Sequence, residues 1–307
     1  MSAVLDGVLV VDKPAGVTSH DVVAVVRRRL PRGTKVGHTG TLDPFATGVL
    51  PVVVGRATRL SQFLTASRKR YRADVAFGVA TDSGDCTGVP VAEAPAEVRD
   101  RITPQALAAG LSAAVGTHGQ VPPAHSAKKV DGERAYALAR RGETVDLAPV
   151  PVTAHAVTLV EWDVERGVAV VDLETSAGYY VRSFARDLGD ALGVPAHLAA
   201  LRRTGSGVFD LGQARGLDAV AQSSADTLTD WLLPLAALLP HLPALTLDEA
   251  QARAVRHGLP FAPAPGQAAD AFLAERVRLL DDAGTLVALA VPSRQARGLL
   301  HADIVLA

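Results

Sequence analysis

Hydrophobic and polar positions along the chain predict strands separated by helices. Apolar residues run without interruption through 49–54, a pattern typical of a strand buried on both faces. From residue 71 the pattern alternates, with Tyr71 and Val75 on one face and Arg72 and Asp74 on the other, which predicts a half-buried strand. Further strands are predicted at residues 7–12, 155–163 and 168–174.

Helical patterns occur between these strands. The sequence TSHD at 18–21 is typical of a capping box at the start of a helix, and Pro31 would end that helix. Further helices are predicted at residues 103–115 and 180–192, with a short basic helix at 133–141. The interleaved strands and helices show no regular βαβ repeat, so we predict a mixed α+β fold rather than a doubly wound parallel sheet.

A change of pattern near residue 240 predicts a domain boundary. The stretch 234–243 is interrupted by three prolines. Beyond it, the sequence predicts a helix at 247–257 and short strands at 276–281, 287–291 and 304–306, which together are typical of a small β-barrel. We therefore expect a first domain at residues 1–240 and a second at residues 241–307.

Composition excludes several classes of protein. Hydrophobic residues make up 48% of the 307 residues and charged residues 21%, which is typical of a globular chain and not of a disordered one. The one cysteine, Cys86, excludes a disulfide framework and any zinc or iron–sulfur site with several cysteines, so a reduced, cytoplasmic setting is expected. We expect neither a membrane segment nor a signal peptide, since no apolar run is long enough and the N-terminus lacks a basic segment.

Charge is unevenly distributed although the net charge is only −1. Residues 1–71 hold 11 Lys and Arg against 4 Asp and Glu, whereas residues 72–239 hold 14 against 21. A basic end on a nearly neutral protein can still present a surface that binds phosphates. Motifs for ATP, NAD and metal ions are missing, because the sequence contains no GxxxxGK[ST], GxGxxG or HExxH and its nine histidines are scattered.

The segment GHTGTLDPFATG at 37–48 is the most unusual residue combination in the chain. Three glycines and a proline restrict its backbone, and Asp43 lies in the middle. One interpretation is a surface turn that Asp43 stabilises. The other is a functional loop, which its position between two apolar segments favours.

Three further groups suit contacts with RNA, although each also fits an ordinary solvated surface. Residues 68–70 are all basic and precede Tyr71, which combines charge for a phosphate backbone with a ring for a base. Arg182 lies at a predicted helix start, where the helix dipole disfavours a cation, so an anionic partner is one explanation. A third basic group comprises residues 128–129 and the arginines within 134–141.

Five segments together resemble one family, the bacterial tRNA pseudouridine-55 synthases of the TruB type. In order they are GVLVVDKPAGVTSHDVV at 7–23, VGHTGTLDPFATGVLPVVVGRATR at 36–59, KRYRADVAFGVATDSGD at 69–85, PPAHSAKKVDGERAYALARRGE at 122–143, and SAGYYVRSFARDLGDALG through HLAALRRTGSGVF at 176–209. Residues beyond 240 match only loosely. The resemblance implies a pseudouridine synthase fold with a largely antiparallel mixed sheet flanked by helices, an RNA-binding insertion at about 120–150 and a C-terminal PUA-like domain.

The resemblance also implies a reaction and its main residues. The family breaks the N-glycosidic bond of uridine 55 in the T-loop of tRNA, turns the uracil over and joins its C5 to the ribose C1′, with neither a cofactor nor a metal ion. Asp43 would be the nucleophile, and Arg182 would pair with it and keep its pKa low. Tyr71 would stack on the flipped base and serve the final proton transfer.

The remaining implied residues contact the RNA. His38 would occupy or prop the stack that the base has left, while Tyr180 would contact the base or ribose and Leu201 would close an apolar wall. Contacts with the RNA backbone are expected from seven basic residues, which are Arg68, Lys69, Arg70, Lys128, Lys129, Arg202 and Arg203.

The expected partner is the T arm of tRNA, and the protein is expected to be a monomer with no obligate protein partner. An alternative is an RNA-binding protein that acts as a tRNA chaperone and for which catalysis is dispensable. The intact Asp43, Tyr71 and Arg182 favour the enzyme. A carboxylate glycosidase shares the chemistry at C1′ but needs a second positioned acid, which these segments do not offer.

Overall fold

The computed structural model describes residues 5–123, 129–130, 133–134, 141, 147–264, 272–293 and 296–306. Within these ranges the strands are Gly7–Lys13 (β1), Val36–His38 (β2), Thr47–Val54 (β3), Lys69–Phe77 (β4), Val79–Thr81 (β5), Pro90–Glu93 (β6), Gly116–Gln120 (β7), Lys129–Val130 (β8), Glu133–Arg134 (β9), Val150–Asp163 (β10), Val168–Thr175 (β11), Ala196–Ser206 (β12), Phe209–Asp210 (β13), Arg215–Gly216 (β14), Ala244–Thr246 (β15), Val277–Leu280 (β16), Leu286–Pro292 (β17) and Leu300–Val305 (β18).

The α-helices within the same ranges are Ser19–Arg28 (α1), Ser61–Thr65 (α2), Ala96–Arg99 (α3), Pro104–Ala113 (α4), Val181–Leu192 (α5), Leu217–Gln222 (α6), Ala225–Asp230 (α7) and Glu249–Arg256 (α8). Short 3₁₀ helices lie at Gly55–Leu60, Leu211–Gln213 and Leu235–Ala237. None of the described helices is long and apolar enough to cross a membrane.

A mixed sheet forms the centre of the described structure. Its strands follow the order β14-β1-β3-β12-β4-β11-β10-β7. In addition, β2 pairs with β3, and β13 pairs with β12. The pairs β1–β14 and β3–β12 are parallel, while the other neighbours are antiparallel. The α+β class with a largely antiparallel sheet flanked by helices is therefore confirmed.

Position in the sheet explains the two strand patterns seen in the sequence. β3 lies between β1 and β12, and its residues from Gly48 to Val54 are all buried, as an uninterrupted apolar run predicts. β4 instead alternates, with Tyr71 and Val75 buried and Arg72 exposed. That alternation fits a strand with only one face in a core.

Helices cover this sheet through two separate apolar cores. α4 and α5 contribute Leu107, Phe184 and Leu188 to the first core, together with the buried face of β4. α1 contributes Val22 and Val26 to the second core, which also contains residues of β1, β3, α6 and α7. α1 begins as predicted, since Thr18 and its partner Asp21 form a capping box.

Residues beyond 243 form a small β unit of their own. Strands β15, β16, β17 and β18 make a four-stranded sheet, and α8 packs on it around a separate core. Leu286, Leu289 and Leu306 of this unit also pack with Leu235 and Leu238 in a core shared with β1 and β3. The predicted separate C-terminal β unit is present, and the boundary at residue 240 stays a prediction.

Two of the differences from the prediction concern β9 and β12. Glu133 and Arg134 form β9, which pairs with β8, so the basic helix predicted from residue 133 is wrong there. The intervening sequence Asp131-Gly132 is typical of a tight hairpin turn and was a signal against that helix. Residues 135–140 and most of the insertion expected at 120–150 lie outside the described residues.

The other difference is β12, which the sequence pattern did not predict. Its apolar residues Leu198 and Leu201 are three apart, a spacing that also suits a helix. Pairing of β12 with β4 shifts register between Leu198 and Ala200, and this irregularity breaks the alternation that would have marked a strand.

Candidate active site

Asp43 lies in the loop between β2 and β3, and neighbouring side chains fix the backbone of this loop. The Ser19 hydroxyl accepts a hydrogen bond from the Leu42 amide at 2.9 Å and donates one to the Leu42 carbonyl at 3.2 Å. On the other side, Lys13 Nζ donates to the Pro44 carbonyl at 3.2 Å. Both residues that flank Asp43 are therefore anchored to the start of the chain.

A glycine is required where the loop returns to the sheet. Gly48 has φ +103°, and a Cβ at this position would overlap the backbone carbonyl of Arg203 on β12. Only glycine permits this close parallel approach of β3 to β12 without strain. The requirement for glycine at the end of the GHTGTLDPFATG segment is thus structural and does not depend on the chemistry of Asp43.

The Asp43 carboxylate forms a two-point ion pair with Arg182, a residue in the first turn of α5. Arg182 Nε lies 2.9 Å from Asp43 Oδ2, and Nη2 donates to Oδ1 at 3.2 Å. The other terminal nitrogen, Nη1, donates to the Ser83 carbonyl at 2.9 Å and lies 3.5 Å from Asp85 Oδ2. Arg182 is therefore buried between two carboxylates, which explains a cation at an electrostatically unfavourable helix start.

The pKa of Asp43 is raised, whereas the resemblance to the family implied a low pKa. Burial raises the pKa of this carboxyl above its usual 3.8, and the negative charge of Asp85 adds to the rise, while Arg182 opposes it. Arg182 lowers the Asp43 pKa as expected, but desolvation of the carboxyl outweighs this effect and the net shift is upward. Arg182 thus limits a rise that desolvation causes.

Tyr71 and Arg203 face each other across β4 and β12 and are direct register partners. Tyr71 is buried, which raises the pKa of its hydroxyl, and the Arg203 guanidinium opposes that rise. Arg203 is only 1% exposed and donates to the carbonyls of Val49, Gly40 and Thr41 at 2.7, 3.1 and 3.4 Å. One guanidinium thus connects Tyr71 to the loop that carries Asp43.

A cavity of about 300 Å³ opens in front of the ion pair. Seven of the residues singled out from the sequence line it, namely Asp43, Lys69, Tyr71, Tyr180, Arg182, Leu201 and Arg203. The cavity combines one carboxylate with aromatic rings, an apolar wall and fixed cations, an arrangement suited to a planar, partly polar ring.

Two family models divide most of the chain between them. The first, described as TruB family pseudouridylate synthase (N terminal domain), matches residues 27–181. The second, described as tRNA pseudouridylate synthase B C-terminal domain, matches residues 182–240. The chain belongs to the TruB family of pseudouridylate synthases.

Relatives of known name agree with this assignment. The chain is 46% identical over 286 residues to the tRNA pseudouridine synthase B of Solibacter usitatus, covering 93% of this chain and 95% of that protein. It is 48% identical over 256 residues to the protein of the same name from Symbiobacterium thermophilum, covering 83% of each chain.

Solved structures show the same fold at greater distance. A chain of a Cbf5-Nop10-Gar1 complex matches with a TM-score of 0.71 at 24% identity, over 99% of this chain and 86% of that one. A chain of the archaeal box H/ACA sRNP Nop10-Cbf5 complex matches with a TM-score of 0.69 at the same identity, over 99% and 87%. At this identity the likeness concerns the fold alone.

In this TruB family chain, His38 is separate from the cavity that holds Asp43. His38 lies in β2, and its ring packs edge-on against His20 with centroids 5.5 Å apart. Burial lowers the pKa of His38, and its Nδ1 is buried without a hydrogen-bond partner among the described residues. The ring lines a different, open groove, formed by α1, the segment after it and the 3₁₀ helix that follows β3.

Two of the basic residues expected to contact the RNA backbone are buried, which corrects that expectation. Lys69 Nζ donates to the carbonyls of Ser67 and Thr65 at 2.7 and 3.1 Å, and burial lowers the Lys69 pKa to about 8. Arg203 is occupied by the contacts described above. Neither side chain can reach a phosphate without abandoning these partners, so both support the site from within.

The other residues expected to contact phosphates differ in their exposure and in their ion pairs. Arg68 pairs with Glu174 at 2.9 Å, and Arg202 pairs with Asp12 at 2.7 Å. Arg70 is exposed. Lys128 and the side chain of Lys129 lie outside the described residues. For these residues contact with RNA stays a prediction.

Two residues of the site, Asp85 and Lys13, were not indicated by the sequence. Asp85 holds a local turn, since its Oδ1 accepts from the Thr87 amide at 3.0 Å. Its second oxygen faces Arg182, which no local pattern indicates. Lys13 is a fully buried cation, and its position at the end of a largely apolar strand was the signal that could have identified it.

No metal site is present in the part of the chain that the structure describes, where no group of three or more His, Cys, Asp or Glu is placed to hold an ion.

Proposed function

We propose that this chain converts uridine 55 in the T-loop of tRNA to pseudouridine, with Asp43 as the nucleophile. The two-point ion pair between Asp43 and the buried Arg182, at a cavity shared with Tyr71 and Leu201, is the observation that carries the proposal. The names of its relatives support a tRNA pseudouridine synthase.

The reaction is an isomerisation whose atoms balance without a further reactant. The bond between uracil N1 and ribose C1′ breaks, and a bond between C5 and C1′ forms. The proton on C5 leaves, and N1 takes up a proton. Asp43 enters this sequence either by attack or by removing the C2′ proton, and both routes require its ionised form.

Electrostatics assign a role to Arg182. Burial makes the Asp43 carboxylate poorly solvated and so more reactive, but it also favours the neutral form that cannot react. Arg182 stabilises the charged form and fixes its orientation through two contacts. The same residue therefore permits a desolvated and still ionised nucleophile.

The base has to leave the RNA stack to reach Asp43. We infer that Tyr71 stacks on the flipped uracil, that Leu201 forms the apolar wall and that Tyr180 contacts the base or ribose. Arg203 limits the rise of the Tyr71 pKa that burial causes, and we infer that the Tyr71 hydroxyl serves the final proton transfer. His38 would prop the stack beside the vacated position.

We further propose that a single chain acts on the T arm of tRNA in the cytoplasm, where this substrate is found. Every residue assigned to catalysis precedes residue 240, which supports a catalytic domain at 1–240, and we propose that the protein is a monomer. Residues 241–307 would then form a PUA-like RNA-binding domain.

A pair of aspartate variants tests the proposal. Asp43→Asn should abolish tritium release from tRNA labelled with [5-³H]uridine, while tRNA binding changes less than tenfold. The matched control is Asp172→Asn, which alters an exposed carboxylate paired with Arg72 and should keep wild-type turnover. Sequencing-based mapping of pseudouridine on an unmodified tRNA should place the product at position 55.

Specific results would contradict the proposal. Turnover of Asp43→Asn within tenfold of the wild type would exclude Asp43 as the nucleophile. A wild-type protein that binds and refolds tRNA but releases no tritium would favour the chaperone function instead.

A further inference from the structure

Five basic side chains on one exposed surface are not used by the proposed function. They are Arg27, Arg28, Arg29, Arg32 and Lys35, at the end of α1 and in the segment that leads to β2, and we call them the 27–35 surface. All five are exposed. The sequence holds no acidic residue between Asp21 and Asp43, so no local carboxylate neutralises them.

The basic side chains of this surface lack acidic partners. None of the five forms an ion pair with any described residue, whereas the exposed Arg68 and Arg72 each face a carboxylate. Basic residues in the last turn of a helix also stabilise its dipole, which accounts for Arg27 and Arg28. It does not account for Arg32 and Lys35, which lie beyond the helix.

The surface forms one wall of an open groove of about 780 Å³. Arg27, Arg28, Arg32 and Lys35 line one side, and the groove continues to the hydroxyl-bearing residues Thr58 and Ser61. No described acidic residue lines it. Cations together with hydroxyl donors are the groups that bind phosphate oxygens of a nucleic acid.

The groove adjoins the loop that carries Asp43, although it is separate from the cavity in front of the ion pair. His38 lines the groove, and the loop that carries Asp43 follows His38 directly. α1 starts at Ser19, which contacts that loop, and nine steps of about 1.5 Å place Arg28 roughly 14 Å along the helix. An RNA strand that passes His38 would therefore lie close to the basic residues of the groove.

We propose that the 27–35 surface binds phosphates of the tRNA strand that passes His38. This inference rests on the proposed function for the identity of the RNA. The surface adds a contact with the RNA backbone. Its residues precede the Asp43 loop in sequence, whereas Arg68 and Arg70 follow that loop. The contact takes the place of those that the buried Lys69 and Arg203 cannot make.

The test compares two triple variants that remove the same charge. Arg28→Gln, Arg32→Gln and Lys35→Gln together remove three of the five positive charges of the surface. The control neutralises Arg99, Arg101 and Arg166, also to Gln, which lie in and near α3 and the turn before β11. Equilibrium binding of an unmodified full-length tRNA transcript is measured across a range of salt concentrations, with tritium release from the labelled transcript at saturating enzyme.

The surface variant should bind tRNA at least tenfold more weakly near 0.1 M salt. The magnitude of its slope of log K against log[salt] should fall by about 2 to 3, since each phosphate contact contributes about 0.7 to 0.9. Its single-turnover rate at saturating enzyme should stay within twofold of the wild type. The control should match the wild type in all three measurements.

Phosphate ethylation interference identifies the contacted phosphates directly. Ethylation at a short run of neighbouring phosphates should weaken binding of the wild type and leave binding of the surface variant unchanged.

Distinct outcomes overturn the two proposals separately. If the wild type binds tRNA and releases tritium but the surface variant has the same affinity and salt slope, the 27–35 surface does not bind RNA and an acidic protein becomes its better partner. An equal loss in the control variant would also overturn it, because the effect would then reflect net charge alone. If the wild type releases no tritium, the proposed function itself fails.

Discussion

Arg182 contacts both carboxylate oxygens of Asp43, although 138 residues separate them in sequence. The pair is asymmetric in its surroundings, because Arg182 is 6% exposed whereas 35% of the Asp43 side chain is exposed. The cation is therefore fixed within the protein, and the carboxylate faces the cavity. This asymmetry suits the role proposed for Asp43, because the carboxylate is accessible while its partner stays in place.

The rate of the reaction should depend on pH through Asp43. Because burial raises the pKa of this carboxyl and the ionised form is the reactive one, activity should be full above the raised pKa and fall as pH drops through it. Single-turnover tritium release should show an acid limb with a midpoint above 3.8. Arg182→Lys should move that limb to higher pH, and circular dichroism should confirm folding at each pH. A rate that stays constant down to pH 4 would contradict this prediction.

Substitutions at Tyr71 should separate stacking from the hydroxyl. Tyr71→Phe should retain binding of a T-arm hairpin and slow tritium release, because the ring remains and the group beside Arg203 is lost. Tyr71→Ala should also lose stacking, which contributes roughly 1–3 kcal/mol per base. Equal affinity of the two variants for the hairpin would show that Tyr71 does not stack on the base.

Neighbouring arginines on β12 should respond differently to the same substitution. Arg203→Met leaves two loop carbonyls, and that of Val49 in β3, without their donor, so the Asp43 loop should shift and the single-turnover rate should fall by about 100-fold. Arg202→Met removes a partly exposed pair with Asp12 and should change that rate less than threefold. Similar losses in the two variants would contradict a positioning role for Arg203.

Stability should rise with pH in the alkaline range because of buried lysines. Burial lowers the pKa of Lys69 and of Lys13 from 10.5 to about 8, so between these values the unfolded chain binds more protons than the folded one. Each lysine therefore increases the free energy of unfolding as the pH rises from 8 toward 10. In urea unfolding, Lys69→Met should reduce this slope by up to about 1 kcal/mol per pH unit.

Lys35→Met is the matched control for that measurement, because it removes an exposed lysine and should keep the wild-type slope. A slope in Lys69→Met equal to that of the wild type would contradict the assignment to Lys69.

A chain that ends at residue 240 should still modify a T-arm hairpin while binding full-length tRNA more weakly. Its melting temperature should fall, because Leu235 and Leu238 lose the cover of Leu286 and Leu306. Calorimetry and tritium release check both expectations. Loss of all activity on the hairpin in a truncated protein that circular dichroism shows to be folded would contradict this division of roles.

A shorter chain provides the control for the truncation. Ending the chain at residue 232 also removes Leu233, whose backbone exchanges hydrogen bonds of 3.0 and 2.9 Å with Val8 in β1. This chain should fail to fold, since the β1 edge and the core beneath it would be opened.

Local patterns were sufficient for much of the fold. The capping box at Thr18, the doubly buried β3 and the alternating β4 all depend on neighbouring residues in the chain, and each was predicted. The segments that resemble the TruB family indicated Asp43, Tyr71 and Arg182, because short motifs carry residue identity. The pairing of β12 and the hairpin at β9 were missed where irregular register or a short turn obscured the pattern.

The sequence by itself thus determined the main elements and the family and indicated the residues proposed to react, whereas the tertiary structure decided how charged groups are used. Arg202 and Arg203 are identical neighbours, yet successive residues of a strand point to opposite faces, so one pairs with Asp12 near the surface and the other is buried beside Tyr71. In the same way, Lys69 is buried, while the five basic residues of the 27–35 surface are exposed and form no ion pair with a described residue. Burial and pairing depend on strands and loops that are distant in sequence, and no local pattern encodes those contacts.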